Sequence, residues 1–389
     1  MGGSFYTRAK GQELESVHVT SSASDMVDVE HYRLSADGGR SWVDSATVAA
    51  KRHTDRGTHR RHARFGLADP HTGRYLRFRN EAVLPTDAVL EYMTHNTIHY
   101  EVSEDGGRSS LCDEPLVQSG AGYDEEHPLP GVHRGRNSYM MGDFAGSALF
   151  LEDGTLLLPC QISPVGSDGR YANKGGGYTY TDAAMLRGTW RKDHRLDWTL
   201  AARLEGDPAT STRGLIEPTL ADLGGGRLLM VMRGSNDRRP DLAGRRWHSI
   251  SRDGGASFSP AEPWRFTDGE PFYSPSSCSQ LLEHSSGRLL WLGNICPSNP
   301  AGNLPRYPFV IAEVDRETGM LVRDSVAEVD TRRPEDPDFL TLSNFSARED
   351  RETHRVLVHL GRFGRPSDAE KRAGKRFQGD CMQYEVEVV

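Results

Sequence analysis

Short apolar runs separated by glycine-containing turns recur along the 389-residue chain. In residues 213–258, one apolar segment carries Glu217, a glycine turn follows at Gly224–Gly226, and a second apolar segment, Leu228–Met232, ends in Arg233. This pattern predicts two short strands joined by a tight glycine turn. A third apolar segment then leads into a polar turn, so the stretch is interpreted as one complete unit of a repeated β-meander.

The hairpin recurs at a regular interval. When the glycine before the second strand is taken as a mark, similar hairpins are found at Gly11, Gly73, Gly154, Gly226 and Gly287, with a sixth, lacking the glycine, at His354. A spacing of roughly 60 to 80 residues leaves room for four strands in each unit.

A second repeat lies in phase with the first. The octet S-x-D-x-G-x-[ST]-[WF] occurs at 35–42 and 251–258, and at 103–110 without its final aromatic residue. In such a turn the aspartate can cap backbone amides, and the glycines supply positive φ. The two repeats together predict an all-β, six-bladed β-propeller in a single domain, 1–389. Its blade limits are predicted near 1–55, 56–125, 136–205, 210–265, 270–330 and 337–389.

Composition narrows the class of protein. The 41 glycines suit many short strands with many turns, and the net charge of −8 argues against a general nucleic-acid binder. Five dispersed cysteines without a CxxC pair predict neither a disulfide framework nor a zinc site, so no metal or cofactor is expected. No apolar leader or membrane-length apolar run is visible, and the expectation is a cytoplasmic protein that does not bind membranes.

The three octets resemble Asp boxes, and residues 217–258 resemble the fourth blade of the sialidase (neuraminidase) superfamily. Asp boxes are mainly structural, so they imply the fold and not the chemistry. The resemblance implies a site that binds a carboxylated sugar through three arginines, protonates the leaving group with an aspartate and attacks with a glutamate-assisted tyrosine. Guanidinium groups suit a carboxylate, and an oxocarbenium-like transition state needs an acid on one side and a nucleophile or base on the other.

Residue by residue, Glu217 resembles the glutamate that assists the tyrosine, Arg233 the second arginine, and Arg306 the third. Asp25 precedes the first Asp box, where the family has its acid, and Asp28 is a close second candidate. Either aspartate could instead cap a turn.

The sequence also departs from the family pattern. The arginine motif that opens the first blade is missing, and Arg8 is an imperfect substitute. The tyrosine expected before a serine in the sixth blade is replaced in the segment 341–345 (TLSNF). Tyr273, which opens the fifth blade, is a possible stand-in, and Asp143, which enters the third inner strand, is a further candidate carboxylate.

The hairpin repeat nominates further positions at one mouth of a propeller channel. Seven positions after the marks stand polar residues, predicted to end their strands and to bind substrate: His18, Asn80, Gln161, Arg233 and Asn294. Polar strand ends are equally expected for purely structural reasons. His95 and His99 have the helical spacing of metal ligands, but they lie beside strand-like residues, so a metal site is not predicted.

These residues predict a sialidase-like glycoside hydrolase whose partner is a carbohydrate substrate, an acidic one because two of the arginines are present. Asp25 or Asp28 would be the acid, and Glu217 the base or nucleophile. Without the tyrosine, Glu217 could activate water directly and give inversion. Two alternatives stay open: a carbohydrate-binding propeller without catalysis, and a polysaccharide lyase in which a base removes a proton beside a uronate.

Overall fold

The computed structural model describes residues 2–22, 25–132, 138–142, 148–374 and 376–389. These residues form two compact units, each of which is described by itself. The first unit comprises Gly2–Asn173 and Thr181–Arg203. The second unit comprises Lys174–Tyr180 and Leu204–Val389.

The first unit holds three blades. Blade 1 contains β1 (Gly2–Tyr6), β2 (Leu14–Thr20), β3 (Val29–Ser35) and β4 (Val43–Ala49). Blade 2 contains β5 (Lys51–Thr54), β6 (Gly57–Ala68), β7 (Tyr75–Leu84), β8 (Thr97–Ser103) and β9 (Cys112–Pro115), with helix α1 (Val89–His95) between β7 and β8. Blade 3 contains β10 (Tyr139–Met140), β11 (Leu149–Phe150), β12 (Leu156–Ile162), β13 (Asp182–Trp190) and β14 (Leu196–Leu204).

The second unit holds the other three blades. Blade 4 contains β15 (Ile216–Gly224), β16 (Arg227–Arg233), β17 (Arg246–Ser251) and β18 (Glu262–Pro263). Blade 5 contains β19 (Gln280–Glu283), β20 (Leu289–Asn294), β21 (Phe309–Val314) and β22 (Ala327–Asp330), with a 3₁₀ turn at Arg323–Ser325. Blade 6 contains β23 (Phe339–Thr341), β24 (Phe345–Glu349), β25 (Val356–Arg365), helix α2 (Asp368–Arg372) and β26 (Gln378–Val386).

The all-β, six-bladed propeller predicted from the two repeats is confirmed. Sequential strands pair with their neighbours in each sheet, and the observed blades lie within the predicted limits to within a few residues. Blade 6 departs from the others because β23 and β24 both pair with the same edge of β25, while β26 pairs with its other edge. Two short strands, β23 and β24, thus share one edge of β25.

The predicted Asp-box turns are confirmed in all three places. In the first turn, the Ser35 hydroxyl and the Ser41 amide both donate to Oδ1 of Asp37, at 2.8 and 2.9 Å. The same bonds are made to Asp105 and to Asp253. The turns follow β3, β8 and β17 and lead into the next strand of each blade, so these aspartates stabilise strand connections.

The side-chain contacts between neighbouring blades differ along the chain. Apolar side chains around Trp198 form a core cluster in blades 2 and 3, and a second cluster surrounds Trp264 and Trp291 in blades 4 and 5. Between blades 1 and 2, ion pairs accompany the apolar contacts of Met26 with Ala82 and Leu84: Glu15 pairs with Arg77, and Glu30 pairs with Arg61 at 2.8 Å. Buried carboxylates and guanidinium groups thus add to the hydrophobic packing at this blade interface.

Neither helix resembles a membrane span: among the described residues, no helix is both long enough and apolar enough to cross a bilayer. His95 is the last residue of α1, whereas His99 lies in β8. The two histidines therefore do not share a helix. Within the described ranges, no group of three or more His, Cys, Asp or Glu side chains is arranged to hold a metal ion.

Candidate active site

Glu217 occupies a β-bulge at the start of β15. The pairing register between β15 and β16 shifts between Ile216 and Thr219, and Glu217 has φ +46°. Bulges re-aim side chains, and non-glycine residues in the left-handed region are strained and cluster at functional sites. The side chain reaches Arg233, whose Nη1 lies 2.9 Å from Oε2 of Glu217, and the two side chains are only 9% and 18% exposed. The local backbone therefore holds a carboxylate against an arginine.

Two further arginines of blade 4 lie in the same region. Arg246, which is 1% exposed, pairs with Arg233 across the β16–β17 ladder and donates to the backbone oxygen of Ser277. Arg213, which is 5% exposed, precedes the bulge and donates through Nη2 to Oγ1 of Thr179 at 2.7 Å. Neither arginine was predicted from the sequence.

The predicted third arginine, Arg306, lies in the loop after β20. Its Nη1 donates to Oγ of Ser343 at 2.9 Å, and its Nη2 donates to the backbone oxygen of Ser276 at the same distance. Ser343 belongs to the sixth-blade segment in which the family tyrosine was expected. The loop and that segment are therefore in direct contact through Arg306.

Charge–charge interactions connect four arginines, Arg213, Arg233, Arg246 and Arg306. We call them the arginine cluster. Burial, together with the charges of Arg233 and Arg306, lowers the pKa of Arg213 to about 10 and that of Arg246 to about 9. Glu217 opposes this effect for both residues, and Asp237 opposes it for Arg213. Repulsion among buried guanidinium groups makes the cluster suited to an anionic ligand such as a carboxylate.

Two residues shortly after β16 connect the loops around the cluster. Asn236 donates through Nδ2 to the backbone oxygen of Pro300 at 2.9 Å and accepts from the amide of Gly302 at 2.8 Å. Asp237 accepts through Oδ2 from the amide of Tyr178 at 3.2 Å, and through Oδ1 from the Thr212 hydroxyl. The end of β16 thus anchors both the loop that carries Arg306 and the segment that carries Tyr178.

The sixth blade does not present a phenol at the expected position. Leu342 precedes Ser343 and is fully buried, and its backbone oxygen accepts from Nδ2 of Asn294 at 3.0 Å. The proposed stand-in, Tyr273, lies at the entrance of blade 5, where its backbone forms an isolated β-bridge with Cys296. The centroid of its ring lies 4.6 Å from the guanidinium carbon of Arg245. Its role as a nucleophile stays a prediction from the sequence.

The amides nominated by the repeat register occupy structural positions. Asn80 is fully buried and exchanges hydrogen bonds with the backbone of Met141, and β7 continues four residues beyond it. Asn294 is also fully buried and donates to the backbone oxygens of Pro308 and Leu342. Gln161 is buried in β12. These positions fit amides that join neighbouring backbone segments better than amides that bind substrate.

Two further predicted binding residues lie in blade 1. His18 lies inside β2, not at its end, and its Nε2 is 2.8 Å from the Ser16 hydroxyl. Arg8 donates to the backbone oxygen of Glu104 at 2.9 Å, next to the second Asp box. Arg8 therefore stabilises a turn, which is a different task from that of the missing first arginine.

The candidate acids belong to the first unit. Asp28 accepts from the Ser22 amide and lies 3.2 Å from Arg60; these hydrogen bonds, with Ser22 as the main one, lower the pKa of Asp28. A lowered pKa opposes the role of a general acid. Asp25 is exposed and has φ +61°. Asp143 lies outside the described residues.

Comparison with known proteins places this fold in a family. A family model described as a BNR repeat-like domain matches residues 28–323. No curated protein matches the sequence.

Several solved structures share the fold. The chain is 14% identical to a protein of unknown function from Dyadobacter fermentans, with a TM-score of 0.60 over 99% of this chain and 94% of that one. It is 10% identical to the NanB sialidase from Streptococcus pneumoniae, with a TM-score of 0.62 over 100% of this chain and 68% of that one. It is 14% identical to an α-L-arabinofuranosidase from Fusarium graminearum in complex with an iminosugar inhibitor. The TM-score is 0.52, and the match covers 99% of this chain and 92% of that one.

At these identities the likeness shows the fold alone. The chain spans only 51% to 68% of the length of the sialidase chains that it matches. The family, in contrast, is shown by a match that covers most of the sequence together with six blades and three Asp boxes. The chain belongs to the BNR repeat-like domain family and is a divergent, sialidase-like member of it.

Proposed function

We propose that this protein is a glycoside hydrolase that acts on an acidic glycan or glycoside. The observation that carries the proposal is the arginine cluster: the charges of Arg233 and Arg306 act on the buried Arg213 and Arg246, and Arg233 is ion-paired with Glu217. Such a site is suited to a ligand that brings negative charge of its own. Glycoside hydrolases among the structural neighbours, which include sialidases and an arabinofuranosidase, support the reaction class.

In the proposed reaction, Arg233 and Arg306 hold the anionic group of the sugar. Glu217 takes a proton from a water molecule, whose oxygen attacks the anomeric carbon as the bond to the leaving oxygen breaks. An acid protonates that oxygen, so the products are the free sugar and an alcohol. Because attack by water is a single displacement, the configuration at the anomeric carbon is inverted. Asp25, with Asp28 as the second candidate, stays the acid predicted from the sequence.

A panel of aryl glycosides tests the proposal, with sialosides and uronides as acidic sugars and arabinofuranosides as neutral ones. We expect turnover of an acidic member, and a loss of about 100-fold or more in kcat for Glu217→Gln because the base is removed. Arg233→Leu should raise KM more for the acidic sugar than for a neutral one.

Arg323→Leu provides a matched control in the same unit, since Arg323 is an exposed arginine whose Nε donates to Asp268 at 2.6 Å. It should leave kcat and KM unchanged. Equal turnover of neutral and acidic glycosides, or full activity in Glu217→Gln, would contradict the proposal.

A carbohydrate-binding propeller without catalysis is the second candidate, and the observation that favours it is Leu342. This buried aliphatic side chain precedes Ser343, where the sequence resemblance implies the nucleophilic tyrosine of the family. Binding of an acidic glycan that survives Glu217→Gln, with no turnover by the wild type of any member of the panel, would identify this function.

A further inference from the structure

A glycine-rich segment approaches the arginine cluster more closely than other residues would permit. Residues 174–180 follow β12 in sequence but belong to the second unit. A Cβ atom on Gly175 would lie 2.2 Å from the backbone oxygen of Thr212, and one on Gly177 would lie 2.7 Å from Cγ of Arg213. The Gly177 amide donates to the Thr212 oxygen at 3.2 Å. Glycine is thus needed for the segment to pack directly on Thr212 and Arg213.

The next residue in this segment is an exposed tyrosine. Tyr178 is 41% exposed, and its ring centroid lies 5.5 Å from the guanidinium carbon of Arg213. Its amide donates to Asp237, and the following residue, Thr179, accepts a hydrogen bond from Arg213. The backbone on either side of the ring is therefore fixed, while a large part of the ring faces solvent beside the cluster.

Burial does not account for this arrangement. Three consecutive glycines lose more conformational entropy on folding than other residues would. The exposed ring buries little apolar surface, so its burial offsets little of this free-energy cost. An aromatic ring that is held rigidly and left accessible is instead a common way to bind an apolar surface of a ligand that also carries polar groups.

We propose that Tyr178 is a sugar-binding residue: its ring packs against the C–H face of a sugar ring whose anionic group lies in the arginine cluster. This inference rests on the proposed function and specifies how the substrate is held. Tyr178 binds and positions the sugar and takes no part in bond breaking. Arg213 assists by fixing the ring through its guanidinium group and through Thr179.

Binding to the Glu217→Gln variant tests the inference without turnover. The probe is the methyl glycoside of whichever acidic sugar the wild type hydrolyses, titrated by calorimetry. Adding Tyr178→Ala should weaken the affinity by about three- to tenfold, the range expected for loss of an aromatic contact. Tyr178→Phe keeps the ring and should stay within about twofold, by the same reasoning.

Phe377→Ala is the matched control, because Phe377 is an exposed aromatic residue of the same unit, 66% exposed, on the β25–β26 connection. It should not change the affinity. In the catalytically active protein, Tyr178→Ala should raise KM by a similar factor and leave kcat unchanged, which is the signature of uniform binding.

The outcomes separate the two proposals. If the wild type hydrolyses an acidic glycoside but Tyr178→Ala binds it as tightly as the parent does, the role of Tyr178 is wrong and the proposed function stands. If the wild type neither hydrolyses nor binds any acidic member of the panel, both are overturned. If Tyr178→Phe loses as much affinity as Tyr178→Ala, the hydroxyl and not the ring face is responsible, and the stacking proposal fails.

Discussion

At the scale of single residues, the site combines backbone strain with repulsion between like charges. Glu217 is held at positive φ in a bulge, and its partner Arg233 lies among other arginines whose charges disfavour one another. Both features destabilise the folded protein on their own account, so they are expected where binding or chemistry requires them. The carboxylates of Asp-box turns, in contrast, only satisfy backbone amides.

The two candidate acids can be separated by matched substitutions. Asp28→Asn should lower the free energy of unfolding by about 1 kcal/mol because it weakens the bonds to Ser22 and Arg60, whereas Asp25→Asn should change it by less than about 0.5 kcal/mol. Denaturant titrations measure both values. If Asp25 is the acid, Asp25→Asn should slow alkyl glycosides much more than nitrophenyl glycosides, whose leaving groups need no proton.

An equal loss for both glycoside types in Asp25→Asn would contradict its role as the acid. Activity that follows Asp28 and not Asp25 would reverse the assignment. Because Asp28 has a lowered pKa in the folded protein, its contribution to stability is present above about pH 4 and is lost as the pH falls further.

At the scale of elements, loops from separate parts of the sequence converge on the end of one strand. Arg233 ends β16, and Asn236 and Asp237, shortly after it, hold the 299–306 loop and the 174–180 segment. The hairpin repeat accounts for the strand but not for the residues that assemble around it. Because these segments meet at one strand end, a small shift in the backbone of either segment should disturb the site.

Gly177→Ala tests this sensitivity. The added methyl group would press on Cγ of Arg213 and on the Thr212 backbone oxygen, each at 2.7 Å, so we expect a loss of about 1–3 kcal/mol in the free energy of unfolding. Displacement of Arg213 should also raise KM for the acidic glycoside. Denaturant unfolding and steady-state kinetics measure the two effects.

Gly166→Ala serves as the control, because the atom nearest to its added Cβ, at 3.0 Å, is the flexible carboxylate of Asp168. It should cost well under 1 kcal/mol. A Gly177→Ala variant as stable and as active as Gly166→Ala would show that close approach of the segment is unimportant.

At the scale of the whole molecule, blades are held together by two kinds of packing. Apolar clusters lie in blades 2 and 3 and in blades 4 and 5, whereas buried ion pairs join blades 1 and 2. The ionic network continues into blade 2, where Glu81 accepts from His59 at 2.8 Å and from Arg79 at 2.5 Å. These bonds, together with the charge of His99, hold the pKa of Glu81 well below its usual value in spite of burial.

The ionic network predicts a pH dependence of stability. A carboxyl group with a lowered folded pKa stabilises the protein above its unfolded pKa, about 4.5 for glutamate, and the contribution is lost as the pH falls through the lower folded value. Glu81→Gln should therefore reduce the free energy of unfolding by roughly 1–3 kcal/mol at pH 7, and the difference from wild type should shrink as the pH falls from 4.5 towards 3. Urea titrations at several pH values measure this.

Glu317→Gln is the control, because Glu317 is an exposed residue in the β21–β22 connection. It should leave stability unchanged at every pH. A Glu81→Gln deficit that is the same at pH 3 as at pH 7 would show that the loss comes from packing and not from the ionised carboxylate.

The sequence by itself determined the blades, the Asp-box turns and the Glu217–Arg233 hairpin. Each of these is a local pattern: apolar runs of strand length, glycines at turns and residues brought together by one hairpin register. Arg246 could have been predicted as well, since it follows from the register of the next strand pair.

Only the tertiary structure decided which polar residues are accessible and which meet. Asn80 and Asn294 occupy repeat positions like that of Arg233, yet they bond to the backbone of later segments, whereas Arg233 pairs with Glu217. Arg306 reaches Ser343, and Tyr178 reaches Arg213, across dozens of residues. Contacts of this kind depend on how blades and their long connections pack, and a periodic pattern in the sequence carries no information about that packing.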